Sequence, residues 1–285
     1  MGLAKAAIVG ALGVLSAAAA TRLPRGEGPA VAWLRLEPGL ELAELASPRP
    51  SDSGDSTVRV LRFDPALFEL HLLNASAPGQ GERLTAREWC LRNDLVAAIN
   101  AAMYQEDRST SLSLMRTRSH VNNPRVSKDM TILAFDPLEA DVAPVRIVDR
   151  ECEDFDRLRR SYGTLVQSIR MVSCKGRNVW AQQPRRSSTA AIGTDGRGRV
   201  LLVHVRSPYS THDLIEILFD LPIGLERAMY AEGGPEAQMY IRSGTREFEF
   251  VGGYPAGLVP GEGRAPAWRI PNVVGISRRA APADP

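Results

Sequence analysis

One acidic residue stands between two strand-like segments, directly before a pair of glycines. The apolar run Ala228–Ala231 ends at Glu232, and Gly233, Gly234 and Pro235 follow. The next residues alternate between apolar and polar, as in a half-buried strand. Glycine permits a tight turn and a close approach of the backbone to a ligand. We therefore predict a strand, a glycine turn and a second strand, with Glu232 as a candidate site residue; the alternative is an ordinary connection with a solvated glutamate.

A polar residue also ends a second apolar segment. Leu95–Ile99 has the character of a buried strand and leads to Asn100, which is either a site residue or a simple strand terminator. The 104–130 segment that follows is long and polar, which is typical of functional or mobile loops. We expect it to border the site and to be less ordered than the sheet. Asp107 and Asp129 within it are candidate second acids.

The chain lacks the common catalytic motifs. It contains no G-x-S-x-G, no P-loop and no H-E-x-x-H. With 4 histidines and 3 cysteines, and no two cysteines at metal-ligand spacing, the sequence argues against a structural zinc site. We expect no cofactor, and a metal requirement stays open.

The composition bounds the class of protein. The chain has 285 residues, of which 44% are hydrophobic and 24% charged, which fits one large globular domain or two small ones. The formal net charge is +2, and the arginines are scattered rather than clustered. The charge therefore predicts no nucleic-acid partner and no anionic membrane surface.

The first twenty residues have the pattern of a secretory signal peptide. Lys5 precedes an apolar run, Ala6–Ala20, which ends in three alanines that fit a cleavage site. The run is short for a membrane span, and no cysteine follows it directly. We predict a signal peptide over 1–20, a secreted or periplasmic protein, and no stable membrane span after cleavage; the alternative is an uncleaved N-terminal anchor.

Export permits disulfide bonds, and the cysteine positions favour one pairing. Cys152 and Cys174 flank a single helix-and-strand excursion, whereas Cys90 falls on a predicted helix. We predict a disulfide between Cys152 and Cys174, with Cys90 as a buried thiol.

The amino-terminal half predicts strands and one well-marked helix. Residues 21–56 read as a linker that contains possible edge strands. Val58–Phe63 and Phe68–Leu73 alternate and predict an antiparallel hairpin. A helix is predicted over Leu84–Asn93, because Thr85 and Glu88 form a capping-box pattern at its start.

The carboxyl-terminal half predicts a second hairpin and one more helix. Ala190–Thr194 and Arg199–Arg206 flank a glycine-rich turn, and a capped helix follows over His212–Asp220. Hairpins dominate and strands do not alternate regularly with helices. We therefore predict a single α+β domain over 57–279, built on a mixed or largely antiparallel sheet with a few packed helices, and a disordered tail over 280–285.

Five segments in order resemble the phosphodiester glycosidase family. They read VAAINAAMYQED, HVNNPRVSKDMTILAFDP, TLVQSIRMVSCKGRNVW, STAAIGTDGRGRVLLVHV and AMYAEGGPEAQMY. The resemblance extends from about Val58 to Ser277. The animal member of this family removes N-acetylglucosamine from a phosphodiester and leaves a phosphomonoester on mannose. The resemblance thus implies a carbohydrate or glycosyl-phosphate substrate.

The resemblance also implies a set of site residues. Those that match family motifs are Asn100, Gln167, Ser168, Gly193, Glu232, Gly233 and Gly234. The chain departs from the family pattern in four places: Glu232 replaces an aspartate, Pro235-Glu236 replace small residues and a serine, Ile169-Arg170 replace Gly-Pro, and Thr189 replaces an arginine.

The implied chemistry defines roles for these residues. Cleavage of a sugar from a phosphodiester passes through an oxocarbenium-like transition state and needs a carboxylate, for which we select Glu232. It also needs phosphate donors, for which Arg170, Arg116 and Arg186 are candidates, unless they are ordinary solvated arginines. Gln167 and Ser168 are site residues, or else strand residues satisfied by the backbone.

Two functions follow as hypotheses. One is an exported glycoside hydrolase that acts on a sugar-1-phosphodiester or a related envelope glycan. The other is a catalytically inactive relative that binds glycans or has a structural role in the envelope.

Overall fold

Three antiparallel sheets make up the structure, a computed structural model that describes residues 31–253 and 266–280. The predicted signal peptide and residues 281–285 of the predicted tail lie outside the described residues. The strands are β1 (Leu34–Glu37), β2 (Leu40–Ala46), β3 (Thr57–Phe63), β4 (Phe68–Asn74), β5 (Ala97–Asn100), β6 (Met115–Arg116), β7 (Val121–Asn123), β8 (Thr131–Pro137), β9 (Val145–Asp149), β10 (Tyr162–Ser168), β11 (Arg170–Val172), β12 (Ser187–Asp195), β13 (Val200–Tyr209), β14 (Leu225–Gly233), β15 (Gln238–Ser243), β16 (Arg246–Val251) and β17 (Asn272–Arg278).

The sheets have a non-sequential strand order. Sheet A has seven strands in the order β1-β2-β3-β13-β12-β14-β11. Sheet B has the order β16-β15-β5-β17-β4, and sheet C the order β7-β6-β10-β8-β9. Every pairing within these sheets is antiparallel. The prediction of a single α+β domain with a largely antiparallel sheet is confirmed.

The three sheets enclose one shared apolar core. It takes Leu61 from sheet A, Ile99 from sheet B and Leu133 from sheet C, all fully buried. Strand β13 shows how alternation serves two layers: Leu202 faces this core, whereas Val203 packs in a second cluster on the other side of sheet A. The sheets therefore form one unit rather than separate domains.

The described residues form three α-helices, α1 (Ala86–Arg92), α2 (Phe155–Leu158) and α3 (Thr211–Asp220), and each packs on a different sheet. Helix α3 covers the second cluster on sheet A, α1 packs Trp89 against Tyr240 of sheet B, and α2 packs Phe155 against sheet C. Helix α1 has the predicted capping box: the Thr85 hydroxyl accepts from the Glu88 N–H, and the Glu88 carboxylate accepts from the Thr85 N–H.

The first predicted hairpin is wrong, although both of its strands exist. Strand β3 pairs with β2 and β13 in sheet A, whereas β4 pairs with β17 in sheet B. The Asp64 carboxylate accepts from the Ala66 N–H, and this turn carries the chain from one sheet to the other. The second predicted hairpin is correct, since β12 pairs with β13.

The possible edge strands within residues 21–56 are present, and the 104–130 segment, which we read as a polar loop, also contains strands. Strands β1 and β2 join the edge of sheet A, so residues 34–46 belong to the same sheet as β3. The 104–130 segment contains β6 and β7 of sheet C. Within the described residues, no helix has the length and apolar character needed to cross a membrane.

The cysteines adopt the predicted arrangement. Cys152 and Cys174 form a disulfide with Cα atoms 6.4 Å apart. Cys90 is a free, fully buried thiol on α1. Burial raises the pKa of this thiol to about 12, so it is an inert core residue.

Candidate functional site

The candidate acid, Glu232, lies near the end of β14 beside a β-bulge. Tyr230 pairs with Ala191 and Glu232 with Ala190, so Ala231 is an extra residue without a partner on β12. A bulge bends its strand and re-aims the adjacent side chains, and bulges are common next to active sites. The bulge therefore decides where the Glu232 carboxylate is placed.

The glycine turn after Glu232 has the predicted form. A 3₁₀ turn over Gly234–Glu236 links β14 to β15, and Gly234 has a φ of +70°. A Cβ at Gly233 would overlap the Tyr230 hydroxyl. Because β14 belongs to sheet A and β15 to sheet B, the turn is also where the chain crosses between sheets.

The surroundings of Glu232 favour its neutral form. Burial, supported by the nearby charge of Glu236, raises the pKa of Glu232 to about 7. The Gly233 N–H, 2.9 Å from Oε1, and the positive charge of Arg185 oppose this increase. A carboxyl group with a pKa near 7 can gain or lose a proton at neutral pH, which suits acid–base catalysis.

Two tyrosines lie in the field of the same carboxylates. Burial raises the pKa values of Tyr104 and Tyr230 to about 12, and the charges of Glu232 and Glu236 add to both increases. The indole ring of Trp180 lies 5.9 Å from the Tyr230 ring, between centroids. Two neutral phenols and an indole therefore accompany the two carboxylates.

Asn100 acts on the turn through its side-chain amide. Its Nδ2 donates to the Glu236 carbonyl at 2.9 Å, and its Oδ1 accepts from the Gln238 N–H at 2.7 Å. Asn100 is buried, with 2% of its surface exposed. The structure thus brings Asn100 to the Glu232 turn, where it holds the backbone.

The side chains of Ser168 and Gln167 also form hydrogen bonds with the backbone, but of different segments. The Ser168 hydroxyl donates to the Tyr230 carbonyl, two residues before Glu232. The Gln167 amide instead accepts from the Ser127 N–H at 3.0 Å and donates to the Asp129 carbonyl at 2.6 Å. Ser168 therefore positions the Glu232 strand, whereas the fully buried Gln167 fixes the end of the 104–130 segment.

Arg170 is occupied by acidic side chains. Its Nη1 donates to both carboxylate oxygens of Asp149, at 2.7 and 2.9 Å, and to Glu151 at 2.7 Å. The Cys174 N–H donates to the same Asp149 carboxylate. Arg170 thus belongs to an ion-pair network next to the disulfide, and its use as a phosphate contact is not supported.

Arg116 and Arg186 also have partners other than the Glu232 carboxylate. Arg116 donates to three backbone carbonyls, those of Arg159, Tyr162 and Gly163. Arg186 is exposed and pairs with Asp52 at 3.2 Å. The preceding residue, Arg185, is the one whose charge reaches Glu232 and Tyr230.

The two candidate second acids have local roles. The Asp107 carboxylate accepts from Ser109 and Thr110 within its own turn. Asp129 accepts from the hydroxyls of Ser113 and Ser127, at 2.7 and 2.9 Å. Instead, Glu236 is the second acid near Glu232, and it lies inside the stretch that the sequence had singled out.

Thr189 is the residue that the resemblance places where the family has an arginine. It is buried and lies opposite Gly233 in the β12–β14 pairing. The site therefore lacks a cation on this strand.

Over the described ranges, no group of three or more His, Cys, Asp or Glu residues is arranged to hold a metal ion.

Comparison with protein families gives a match over much of the chain. The family model described as phosphodiester glycosidase matches residues 93–277, more than half of the chain. A comparison with curated protein sequences found no match.

Solved structures of other proteins share the fold. The catalytic domain of zebrafish N-acetylglucosamine-1-phosphodiester alpha-N-acetylglucosaminidase, described as auto-inhibited by its pro-peptide, aligns with a TM-score of 0.62 at 14% identity and covers 85% of each chain. A hypothetical protein from Synechocystis aligns with a TM-score of 0.59 at 13% identity, over 90% of this chain and 65% of the other. At these identities the likeness concerns the fold.

Proposed function

Since the chain belongs to the phosphodiester glycosidase family, we propose that it is an exported hydrolase that releases a sugar from a sugar-1-phosphodiester or a related envelope glycan. The observation that carries this proposal is the Glu232 carboxyl group, with its pKa raised to about 7 beside a second acid, Glu236. Glycoside cleavage commonly uses two carboxyl groups in different protonation states, and unequal surroundings are how proteins separate them.

The burial of Glu232 favours the role of general acid. A neutral Glu232 can approach an anionic phosphodiester without charge repulsion and can give its proton to the departing phosphate oxygen. Glu236 is then the group that accepts a proton from the attacking water. This division of roles places negative charge where the oxocarbenium-like transition state develops positive charge.

Asn100 and Ser168, which match family motifs, help to position Glu232 and Glu236. Asn100 holds the Glu236 and Gln238 backbone, and Ser168 holds the backbone at Tyr230. An acid that is misplaced by about 1 Å can lose on the order of a hundredfold in rate. Asn100 and Ser168 are therefore positioning residues in this proposal rather than proton carriers.

Release of free sugar from a panel of glycosyl phosphodiesters tests the proposal. We expect hydrolysis of at least one member and a loss of about a hundredfold or more in Glu232→Gln, which keeps the shape of the side chain but removes its proton. Glu226→Gln is the matched control, because Glu226 is an exposed residue of the same strand. Hydrolysis that is equal in all three proteins would refute the role of Glu232. A folded protein that hydrolyses no member would favour the inactive, glycan-binding alternative.

Export is tested separately. Lys5 and the apolar run Ala6–Ala20 support cleavage after Ala20. N-terminal sequencing of the exported protein should therefore begin at Thr21. A protein that still begins at Met1 would favour the uncleaved anchor.

A further inference from the structure

A shallow cavity of about 360 Å³ opens beside the turn that precedes α1. It is lined by Ala75, by residues 81–83, by residues 107–109 and by Arg269. Three of these residues are arginines: Arg83, Arg108 and Arg269. A small cavity of this kind is large enough for a phosphate group with part of its substituents.

The acidic residues of this cavity already have partners. The Asp107 carboxylate accepts from Ser109 and Thr110. Glu82 pairs with Arg92 at 2.6 Å and with Arg269 at 3.2 Å. Glu82 is thus paired with two arginines, whereas the Asp107 carboxylate is held by neutral hydrogen-bond donors.

Arg83 and Arg108 differ from the other arginines considered for the site. Across the described part of the chain, neither guanidinium makes an ion pair or a hydrogen bond. Arg83 is half-buried, whereas Arg108 is exposed at the tip of its turn with a φ of 55°. A guanidinium binds phosphate through parallel N–H donors, and these two donor groups are unoccupied.

The phenol of Tyr104 lies in the electrostatic field of both the candidate acids and two arginines of the cavity. Burial is the main cause of the raised pKa of Tyr104; the charges of Glu232 and Glu236 add to the increase, and those of Arg83 and Arg108 oppose it. One phenol is therefore within electrostatic range of both acids and both arginines. Tyr104 starts the hairpin-like turn that carries Arg108, since Tyr104 bridges to Ser111 across it.

A single buried side chain connects the cavity walls to the Glu232 turn. Gln238 follows this turn, and its Oε1 accepts from the Ala86 N–H at 2.9 Å. Its Nε2 donates to the Trp268 carbonyl at 2.6 Å. Arg83 lies three residues before Ala86 and Arg269 directly after Trp268, so Gln238 joins both walls to the start of β15.

We propose that Arg83 and Arg108 form a phosphate subsite that holds the phosphoryl group of the substrate next to Glu232. This inference rests on the proposed function for the identity of the substrate. It gives the phosphate two unpaired arginines, in place of Arg170 and Arg116, which are occupied, and of the missing arginine at Thr189. Arg269, already paired with Glu82, borders the subsite and adds to its field.

Titration with inorganic phosphate, followed by NMR or calorimetry, tests the subsite without any need for turnover. We expect Arg83→Gln and Arg108→Gln each to weaken phosphate binding by about tenfold or more, because each removes charge-assisted hydrogen bonds. Arg197→Gln is the matched control, because Arg197 is exposed on the β12–β13 turn. This turn begins after Asp195, which lies about 20 Å along β12 from Thr189 at 3.3 Å per residue. It should bind phosphate as the unchanged protein does.

Arg185→Gln separates this subsite from the other positive charge near Glu232. Phosphate affinity that depends on Arg185 and not on Arg83 or Arg108 would overturn the proposal, as would equal affinity in all variants. Arg108 is exposed and Arg83 is half-buried, and we expect Arg108→Gln to leave thermal unfolding unchanged. If Arg83→Gln is destabilised, Arg108→Gln alone decides.

The subsite and the proposed function can fail independently. Loss of phosphate binding in Arg83→Gln and Arg108→Gln, with no hydrolysis of any glycosyl phosphodiester, would keep the subsite and reject the hydrolase. Hydrolysis with unchanged KM in both variants would keep the hydrolase and reject the subsite. A raised KM in both variants, with Arg197→Gln unaffected, would support both.

Discussion

The amide of Asn100 holds the backbone of Glu236 although 136 residues separate them. Asn100→Asp keeps an acceptor for the Gln238 N–H but places a carboxylate oxygen against the Glu236 carbonyl. We expect a loss of about 1–3 kcal/mol in the free energy of unfolding, because a buried acceptor loses its donor. Denaturant unfolding measures this, and an unchanged midpoint in Asn100→Asp would show that the amide does not hold the turn.

Glu232 makes the stability of the protein depend on pH. Its pKa is about 7 in the folded chain, compared with an ordinary value of 4.5. The stabilisation from retaining this proton is complete below about pH 4.5 and is lost as the pH rises through about 7, by about 3 kcal/mol. Glu232→Gln should lack this decline, so at pH 8 it should be more stable than the unchanged protein.

The buried His204 also makes stability depend on pH, so the free energy of unfolding must be compared with that of Glu232→Gln. Burial lowers the pKa of His204 to about 3, so this residue removes stability as the pH falls below about 6.5. Both proteins contain His204, so the difference between their free energies of unfolding isolates Glu232. A difference that is constant from pH 4.5 to 8 would contradict the raised pKa.

The proton on Glu232 should also set the pH dependence of hydrolysis. If Glu232 is the general acid, the rate falls as the pH rises through about 7, because the carboxyl group loses the proton that it must donate. A profile of kcat/KM between pH 5 and 9 measures this. A rate that rises through pH 7 would instead assign Glu232 the role of base or nucleophile.

Gly233 is required by the space next to it. A Cβ there would displace the Tyr230 hydroxyl and would come within 3.2 Å of the Ser187 hydroxyl. Gly233→Ala should therefore lower the rate of hydrolysis by about tenfold or more and destabilise the fold by about 1–3 kcal/mol. Gly196→Ala is the control, because a Cβ at Gly196 meets no atom within 4 Å. Equal effects of the two substitutions would remove the specific role of Gly233.

The disulfide should contribute to stability through its loop. Cys152 and Cys174 are 22 residues apart, and closing such a loop stabilises by about 3 kcal/mol in the chain-entropy model. The Cys152→Ser, Cys174→Ser double variant should lose about this amount. A reducing agent should lower the stability of the unchanged protein to the same level and leave the double variant unaffected. A reductant effect of equal size in both would place the labile bond elsewhere.

Features encoded by neighbouring residues were predicted well. The capping box needs only Thr85 and Glu88, and the β12–β13 hairpin needs only its glycine-rich turn. The partners of β3 and β4 were wrongly predicted, because alternation specifies which face is buried but not which strand lies beside it.

The parts of the candidate site that neighbouring residues encode were predicted, whereas those that depend on distant partners were not. The Glu232 turn follows from its glycines, and Glu236 and Tyr230 lie within the same stretch. Whether Arg170 is available to a ligand depends on its ion pair with Asp149, 21 residues away, and no local pattern indicates such a partner. Tyr104 was missed because a tyrosine at the start of a polar segment carries no distinguishing pattern.

The crossing of the chain between sheets A and B at residues 234–236 has a consequence for folding kinetics. The contacts that fix Glu232 join residues far apart in sequence: Asn100 with Glu236 across 136 residues, and Ser168 with Tyr230 across 62. Contacts with such long sequence separation form late, because loop-closure entropy must be overcome first. During refolding, hydrolytic activity should therefore return after the strand signal in circular dichroism. The order of these two signals reports when the sheets dock.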